Sequence, residues 1–339
     1  MYEAIDFLYY HLNYVIVTYV PLYTVKKSMY PVWFSAELIS LTKAKKLAHF
    51  NYKNSYRYSD YLLFNQLRTR CKLLSSICWK NYTSKTERAI SENVKSFWSF
   101  MNSLRGINHL PTHIYHNNSV IDDDSMIANC FANFFESVYV SNVETDFAVD
   151  CESVIDISNI DISISEVFEC ITKLQLNSLA GTDNIPPLFF VSCKFIMSRV
   201  LWIIFNKSLS CGVFPETWKR SIVTPIFKSG DKTLVSNYRP ISKQNVMPKI
   251  FENIIASRLS SLCKNIFINE QHGFISGRSI ASNLLLYHDY IVTTLEDGSQ
   301  VDSIYTDFKK AFDSVDHSIL ISKLRAYGFN GSFLDWLSS

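Results

Sequence analysis

A chain of 339 residues that is 47% hydrophobic and 14% aromatic can bury sizeable cores in two or three domains, which excludes a disordered tail. The net charge is only +2, but residues 24–105 carry 15 Lys/Arg against 4 Asp/Glu, while residues 121–170 carry 12 Asp/Glu and no Lys/Arg. The basic stretch suits a polyanion partner, and the alternative is a pair of solvated faces that neutralise one another.

The opening, MYEAIDFLYYHLNYVIVTYV, places Glu3 and Asp6 where a signal peptide needs a basic region. It reads as a partly buried helix, and no stretch of the chain approaches the roughly 20 uncharged apolar residues of a membrane span. Residues 32–105 contain no proline and no glycine and read as helix throughout, with Leu62, Leu63, Leu67, Leu73, Leu74 and Ile77 at helical spacing. Tyr52, Lys53, Tyr56, Arg57 and Tyr58 interleave rings with cations, a pattern that serves base stacking and phosphate contact, although aromatics on long helices more often pack. Gly106 and Pro111 close the zone. Residues 121–139 predict a packing helix with Asp124 or Ser125 as N-cap and Ile127, Phe131, Phe134, Phe135 and Val138 on one stripe. Residues 140–162 are acidic without a clear period and read as a linker or surface loop. Eight cysteines lie scattered with no CxxC pair, which fits reduced, semi-buried side chains in an intracellular protein and not a zinc site.

From 166 onward, turn residues gather: Gly181, Pro186, Pro187, Gly212, Pro215, Pro225 and Gly230. Helices are predicted over 165–176 and 188–210. SIVTPIF (221–227) and NYRPIS (237–242) form a hairpin with Lys228 on one arm and Arg239 on the other, and the two prolines confine the arms to edge or irregular pairing. Helices follow over 248–262 and 280–295, then a strand ending at Asp307, then a helix over 317–328. A carboxylate at the end of a strand, with a backbone carbonyl beside it, is a fixed hard-oxygen site for Mg²⁺, as nucleotidyl transfer requires. Phe312, five residues on, is placed to sense the sugar 2′ position by bulk. Asp313 and Asp316 read as a turn and helix-cap pair.

Several blocks together resemble the reverse transcriptases of non-LTR (LINE-like, jockey-type) retrotransposons: LNSLAGTDNIPPLFF, FNKSLSCGVFPETWKRSIVTPIFKSGD, NYRPIS with PKIFENIIASRL, NEQHGFISGRS and YTDFKKAFDSVDHSILISKLRAYGF. They arrive in the family's order and cover 165–339. Upstream, YPVWFSAEL, NVKSFWSFMNSLRG and MIANCFANFFESVY resemble the segment joining endonuclease to polymerase. The resemblance implies an α+β chain: a helical connector over 1–150, an acidic linker over 151–164, and a partial fingers/palm domain with an incomplete sheet over 165–339. It implies that Asp307 and the carbonyl of Phe308 hold Mg²⁺, with Mn²⁺ as the alternative, and only weakly in this chain. It implies that Lys228 and Arg239 grip the incoming deoxynucleoside triphosphate, with Phe312 as a gate against ribonucleotides. Gln271, Gly273, Phe274 and Arg278 match the block along the template, although Arg278 also reads as merely solvated, and Ile275 stands where the family often has arginine. RNA template and DNA primer are the implied partners, with no membrane. The implied location is intracellular, in the nucleus for the parent element or in the cytoplasm.

The residues also depart from the family pattern. No aromatic-x-Asp-Asp turn follows Asp307 in these 339 residues, nor do the Gly-Gln block, a thumb or a zinc knuckle, and no endonuclease precedes them. The chain therefore reads as an internal slice, an RNA-directed DNA polymerase by family and inactive alone. The alternatives are a non-catalytic nucleic-acid-binding fragment and a degenerate transposon relic.

Overall fold

A computed structural model describes residues 1–21, 29–93, 96–98, 100–101, 111–116, 119–139, 156–308 and 310–339. The predicted C-cap at 104–106 and most of the acidic stretch, 140–155, lie outside the described residues. The chain is α+β and divides into two compact units, residues 20–110 and residues 1–19 with 111–339.

The smaller unit is a helical hairpin. Helix α1 (Tyr2–Tyr19) belongs to the other unit, so the hairpin consists of α2 (Ala36–Ser55) and α3 (Tyr58–Glu92). Ser35 caps α2 by accepting from the Leu38 N–H at 3.1 Å. The uninterrupted helix predicted for 32–105 is broken at the Tyr56–Arg57 step. Tyr56 adopts the left-handed conformation, φ 54°, and its N–H closes α2 onto the Tyr52 carbonyl at 2.8 Å. Absence of glycine and proline therefore did not guarantee continuity: the asparagine- and serine-rich NSYRYSD turn supplies the break. Ser55 donates to the Asp60 carboxylate across it. Only Leu38, Ala48 and Cys71 are buried in this unit among the described residues.

The larger unit holds one main core and one satellite. Helices α5 (Ile164–Thr172), α6 (Pro187–Ser192), α7 (Lys194–Ser210) and α9 (Val246–Leu262) supply most of the main core, with the short α8 (Glu216–Lys219) contributing the fully buried Trp218. Phe205 and Phe251 stack at 4.3 Å, and Trp336 of the C-terminal helix α12 (Gly331–Ser338) lies 4.9 Å from Phe251. The Trp336 indole also donates to the buried Ser208 hydroxyl at 3.0 Å. The N-terminal helix is half-buried as expected, inserting Ile5, Leu8 and Leu12. Residues 156–162, the described end of the acidic stretch, do not lie free on the surface: Ile157, Ile160 and Ile162 are buried, and Ile157 bridges Phe329 in parallel. The predicted 188–210 helix is interrupted at Cys193, which ends α6 and begins α7.

The satellite core backs the predicted hairpin. Strands β3 (Ile222–Phe227) and β4 (Tyr238–Lys243) pair antiparallel, with Pro225 opposite Pro240. The two short strands β1 (Ile114–His116) and β2 (Ser119–Ile121) pair with each other and lead into α4 (Asp124–Glu136). Asp123, one residue before the expected cap, accepts from the Met126 N–H at 2.8 Å. Ile127 and Phe131 of the predicted stripe are buried with Ile114, Cys130 and Tyr238, while Phe134 and Val138 are only half-buried. Phe131 meets Tyr238 at 4.9 Å and Tyr238 meets Phe227 at 5.5 Å, so α4 is the packing helix that supports the hairpin.

After α9 come α10 (Ile280–Glu296) and α11 (His317–Ala326). Asp316 caps α11 as predicted, accepting from the Ser318 and Ile319 N–H groups at 2.9 and 3.1 Å. The strand predicted to end at Asp307 is not formed: residues 301–308 have no regular secondary structure. A strand needs a neighbour to complete its ladder, and among the described residues the only sheets are β1–β2 and β3–β4.

Candidate active site

Strand alternation sorts the hairpin's side chains. Phe227 and Tyr238 are cross-strand partners and point to the α4 face. Arg239 pairs with Ile226 and so points to the opposite face. The Lys228 N–H donates to the Asn237 carbonyl at 2.8 Å, which extends the register by one pair and puts Lys228 on the Arg239 face. The two are then diagonal neighbours, with Cβ atoms roughly 7 Å apart. Both are exposed. Two cations on one open face of a braced arm can hold a polyphosphate, which a lone surface lysine cannot do with any geometric definition.

The turn between the strands is held by its own polar groups. Asp231 accepts from the Thr233 N–H at 2.9 Å and hydroxyl at 2.8 Å, and these bonds hold its carboxyl below the usual range. Asn237 donates to the Asp231 carbonyl at 2.8 Å. A Cβ at Gly230, φ 90°, would meet the Asn237 amide nitrogen at 2.8 Å, so the turn requires glycine there.

The 269–279 loop folds on itself. Arg278 donates to the carbonyls of Asn269 at 2.5 Å and Gln271 at 2.6 Å, so its guanidinium serves loop geometry. Gln271 donates to the Gly273 carbonyl at 3.0 Å. This turn drives Phe274 to φ 63° and leaves it 95% exposed. Gln271, Gly273 and Phe274 line a shallow depression of about 450 Å³ with Phe267 and Tyr327. Phe274 also meets Phe312 edge-on, ring centroids 5.9 Å apart. The structure thus brings the predicted template block and the predicted sugar gate into contact.

Asp307 and Phe308 are exposed at the end of the irregular segment 301–308. The segment is tied to α10 through Tyr305, whose hydroxyl donates to the Tyr287 hydroxyl at 2.8 Å, and through Ser303, which also bonds Tyr287. Lys310 adopts φ 52° and lies 4.6 Å over the Phe134 ring of α4. No ion pair joins Asp307 to Lys228 or Arg239 among the described residues. Among those residues no group of three His, Cys, Asp or Glu gathers to hold a metal ion. Asp307 and the Phe308 carbonyl are the right hard-oxygen donors for Mg²⁺, but they are too few to make a closed site.

Sequence reasoning missed the Lys310–Phe134 contact and the Tyr287–Tyr305 pair, both long-range. The part played by the GTDN turn, residues 181–184, left no signal in the sequence either. Asn245, fully buried, accepts from the Thr182 hydroxyl at 2.9 Å and the Asp183 N–H at 3.2 Å. Tyr9 of α1 donates to Asp183 at 3.3 Å. Burial, then the neighbouring carboxylate, pushes the Tyr9 phenol up, and burial raises Asp183. The turn thereby joins α1 to the start of α9.

Residues 226–339 match the family described as reverse transcriptase (RNA-dependent DNA polymerase). Over that stretch the chain is similar to reverse transcriptases, and the proteins it resembles are named as products of transposons and mobile elements. It is 28% identical over 225 residues to the "Probable RNA-directed DNA polymerase from transposon BS" of Drosophila melanogaster, covering 61% of this chain and 25% of that protein. It is 27% identical over 178 residues to the "Transposon TX1 uncharacterized 149 kDa protein" of Xenopus laevis, covering 52% and 14%. It is 29% identical over 168 residues to the RNA-directed DNA polymerase from mobile element jockey of D. melanogaster, covering 48% and 18%. The chain spans a quarter or less of the length of these relatives.

Proposed function

We propose that residues 165–339 are the fingers and first palm segment of an RNA-directed DNA polymerase of a non-LTR retrotransposon, with 1–150 as connector and 151–164 as acidic linker. Its substrates are an RNA template, a DNA primer and deoxynucleoside triphosphates. The observation that supports this most is the α4-braced hairpin at the start of the matched segment, which presents Lys228 and Arg239 on one open face. In this reading those cations bind the triphosphate and draw charge from the leaving pyrophosphate. Phe312 blocks a 2′-hydroxyl, and its edge contact with Phe274 couples that block to the template strand. Gln271 and Gly273 line the template path, and Arg278 positions their loop. Mg²⁺, or Mn²⁺ in its place, supplies charge neutralisation at the transferred phosphate when held by Asp307 and the Phe308 carbonyl.

One carboxylate and one backbone carbonyl are too few ligands to hold two ions, and no Asp-Asp pair follows Asp307 in these 339 residues. This favours a second reading for the 339 residues by themselves, a nucleic-acid-binding piece without catalysis. Primer extension on an RNA template separates the two. The 339-residue chain is expected to be silent, a longer chain carrying an aromatic-x-Asp-Asp turn is expected to extend, and Asp307→Asn in that longer chain is expected to stop it. Extension by the 339 residues alone, or by the Asp307→Asn variant, would overturn the ligand assignment.

A further inference from the structure

The α2–α3 hairpin carries a feature that the polymerase reading does not use. Between residues 38 and 86 the sequence has ten Lys/Arg and one acid, Asp60. That acid is engaged within the turn by the Ser55 hydroxyl. At the same turn four tyrosines meet. Tyr52 lies 5.4 Å from Tyr61 and 6.4 Å from Tyr56, and Tyr58 stacks on Tyr61 at 6.2 Å with 28° between the rings. Tyr52 and Tyr61 are the braces; Tyr56 and Tyr58 are the outer rings, 76% and 73% exposed. Lys53 follows Tyr52 and Arg57 separates Tyr56 from Tyr58 in the sequence, and both cations are exposed. Arg57 precedes α3 without its side chain capping the helix.

Rings already braced by other rings lose little conformational freedom on stacking, and a tyrosine face accepts any base. Cations on either side neutralise the backbone that carries those bases. We propose that the 52–61 tip of this hairpin grips a single-stranded nucleic acid, bases on Tyr56 and Tyr58 and phosphates on Lys53 and Arg57. A lipid surface fits less well. Interfacial helices segregate an apolar face from a cationic one, whereas apolar and charged residues are spread around both α2 and α3. The unit is compact by itself, so the inference stands apart from the polymerase reading.

The test uses the full 339-residue chain and a fluorescein-labelled oligouridine 20-mer, with anisotropy followed over a salt series. Replacing Tyr56 and Tyr58 together by Ala is expected to weaken binding at least about tenfold at fixed salt. The salt slope should not change, because stacking releases no counterions. The Tyr→Phe pair keeps the rings and should stay within about twofold of the parent. Lys53→Gln with Arg57→Gln should instead flatten the slope of log K against log salt by about 1.4, that is about 0.7 for each phosphate no longer neutralised. Circular dichroism checks that helix content is retained, as expected for exposed rings. Parent-like affinity in the Tyr→Ala pair overturns the proposal. So does equal affinity for the matched duplex, absence of any binding, or loss of binding to phosphatidylserine vesicles while oligouridine binding persists.

Discussion

Glu166→Gln probes the bridge that fixes α5 against α9, the helix that follows β4 and Arg239. Arg258 reaches Glu166 with both arms of its guanidinium, Nε to Oε1 and Nη2 to Oε2, each at 2.8 Å. Glu166 also closes a capping box with Ser163. The Arg258 bonds, opposed by burial and aided by Ser163, lower the Glu166 carboxyl from 4.5 to about 2. At about 1.4 kcal/mol per pH unit that shift corresponds to roughly 3 kcal/mol as an upper bound. The two side chains are 37% and 32% exposed, so solvent screening reduces the figure to about 1–2 kcal/mol. A depressed carboxylate stabilises above its unfolded pKa and loses that contribution as pH falls through the folded value. The parent should therefore exceed Glu166→Gln by about 1–2 kcal/mol at neutral pH, and the gap should close as pH falls from 4.5 to about 2. Urea melts of both proteins across that range measure it. A gap that stays constant with pH would show that the carboxylate's charge is not the stabilising element.

Other outcomes follow from the same geometry. Gly181→Ala would place a Cβ 2.3 Å from the Asn245 side-chain oxygen and 2.7 Å from its Cα. Backbone cannot yield there, so a loss of about 2–4 kcal/mol is expected in urea melts, from overpacking and the bonds to Thr182 and Asp183. Arg278→Ala should raise amide exchange across 269–274 by about tenfold, since the two carbonyl contacts are worth roughly 1–2 kcal/mol in an exposed loop; unchanged exchange would free Arg278 for direct template contact. Trp336→Ala removes a buried indole packed near Phe251 and bonded to Ser208, and should cost about 3–5 kcal/mol by thermal or urea unfolding.

The sequence made some of this legible and hid the rest, for definite reasons. Local signals sufficed for the hairpin: two apolar runs around a Gly-Asp turn, with both prolines at paired positions, Pro225 and Pro240. They also sufficed for α11, because Asp316 caps it within three residues. They failed at Tyr56, where a bulky residue takes a backbone conformation that glycine or asparagine usually fills. They failed again at 156–162, where acidic composition concealed three isoleucines spaced to reach the core and Phe329. Contacts such as Gly181 with Asn245, or Phe274 with Phe312, join residues dozens apart and leave no periodic trace.

The segment around Asp307 shows how far local pattern carries a catalytic prediction. Ile304, Tyr305 and Phe308 have the side chains of a buried strand, yet they are 91%, 82% and 84% exposed. A helix satisfies its own backbone, so α10 forms without burying a single residue. A strand cannot form alone, so 301–308 stays irregular despite an equally strong sequence signal. The same asymmetry separates the two halves of the proposed site. Lys228 and Arg239 belong to paired strands braced by α4, and their shared face is already defined. Asp307 sits on the element that depends on neighbouring strands, so its carboxylate acquires a fixed direction only when such strands pair with it. Metal affinity should accordingly rise together with protection of the 301–308 amides when a strand-bearing palm segment is added. Protection without a gain in Mn²⁺ affinity, measured by the broadening of nearby resonances, would mean that the segment becomes a strand but Asp307 is not a ligand.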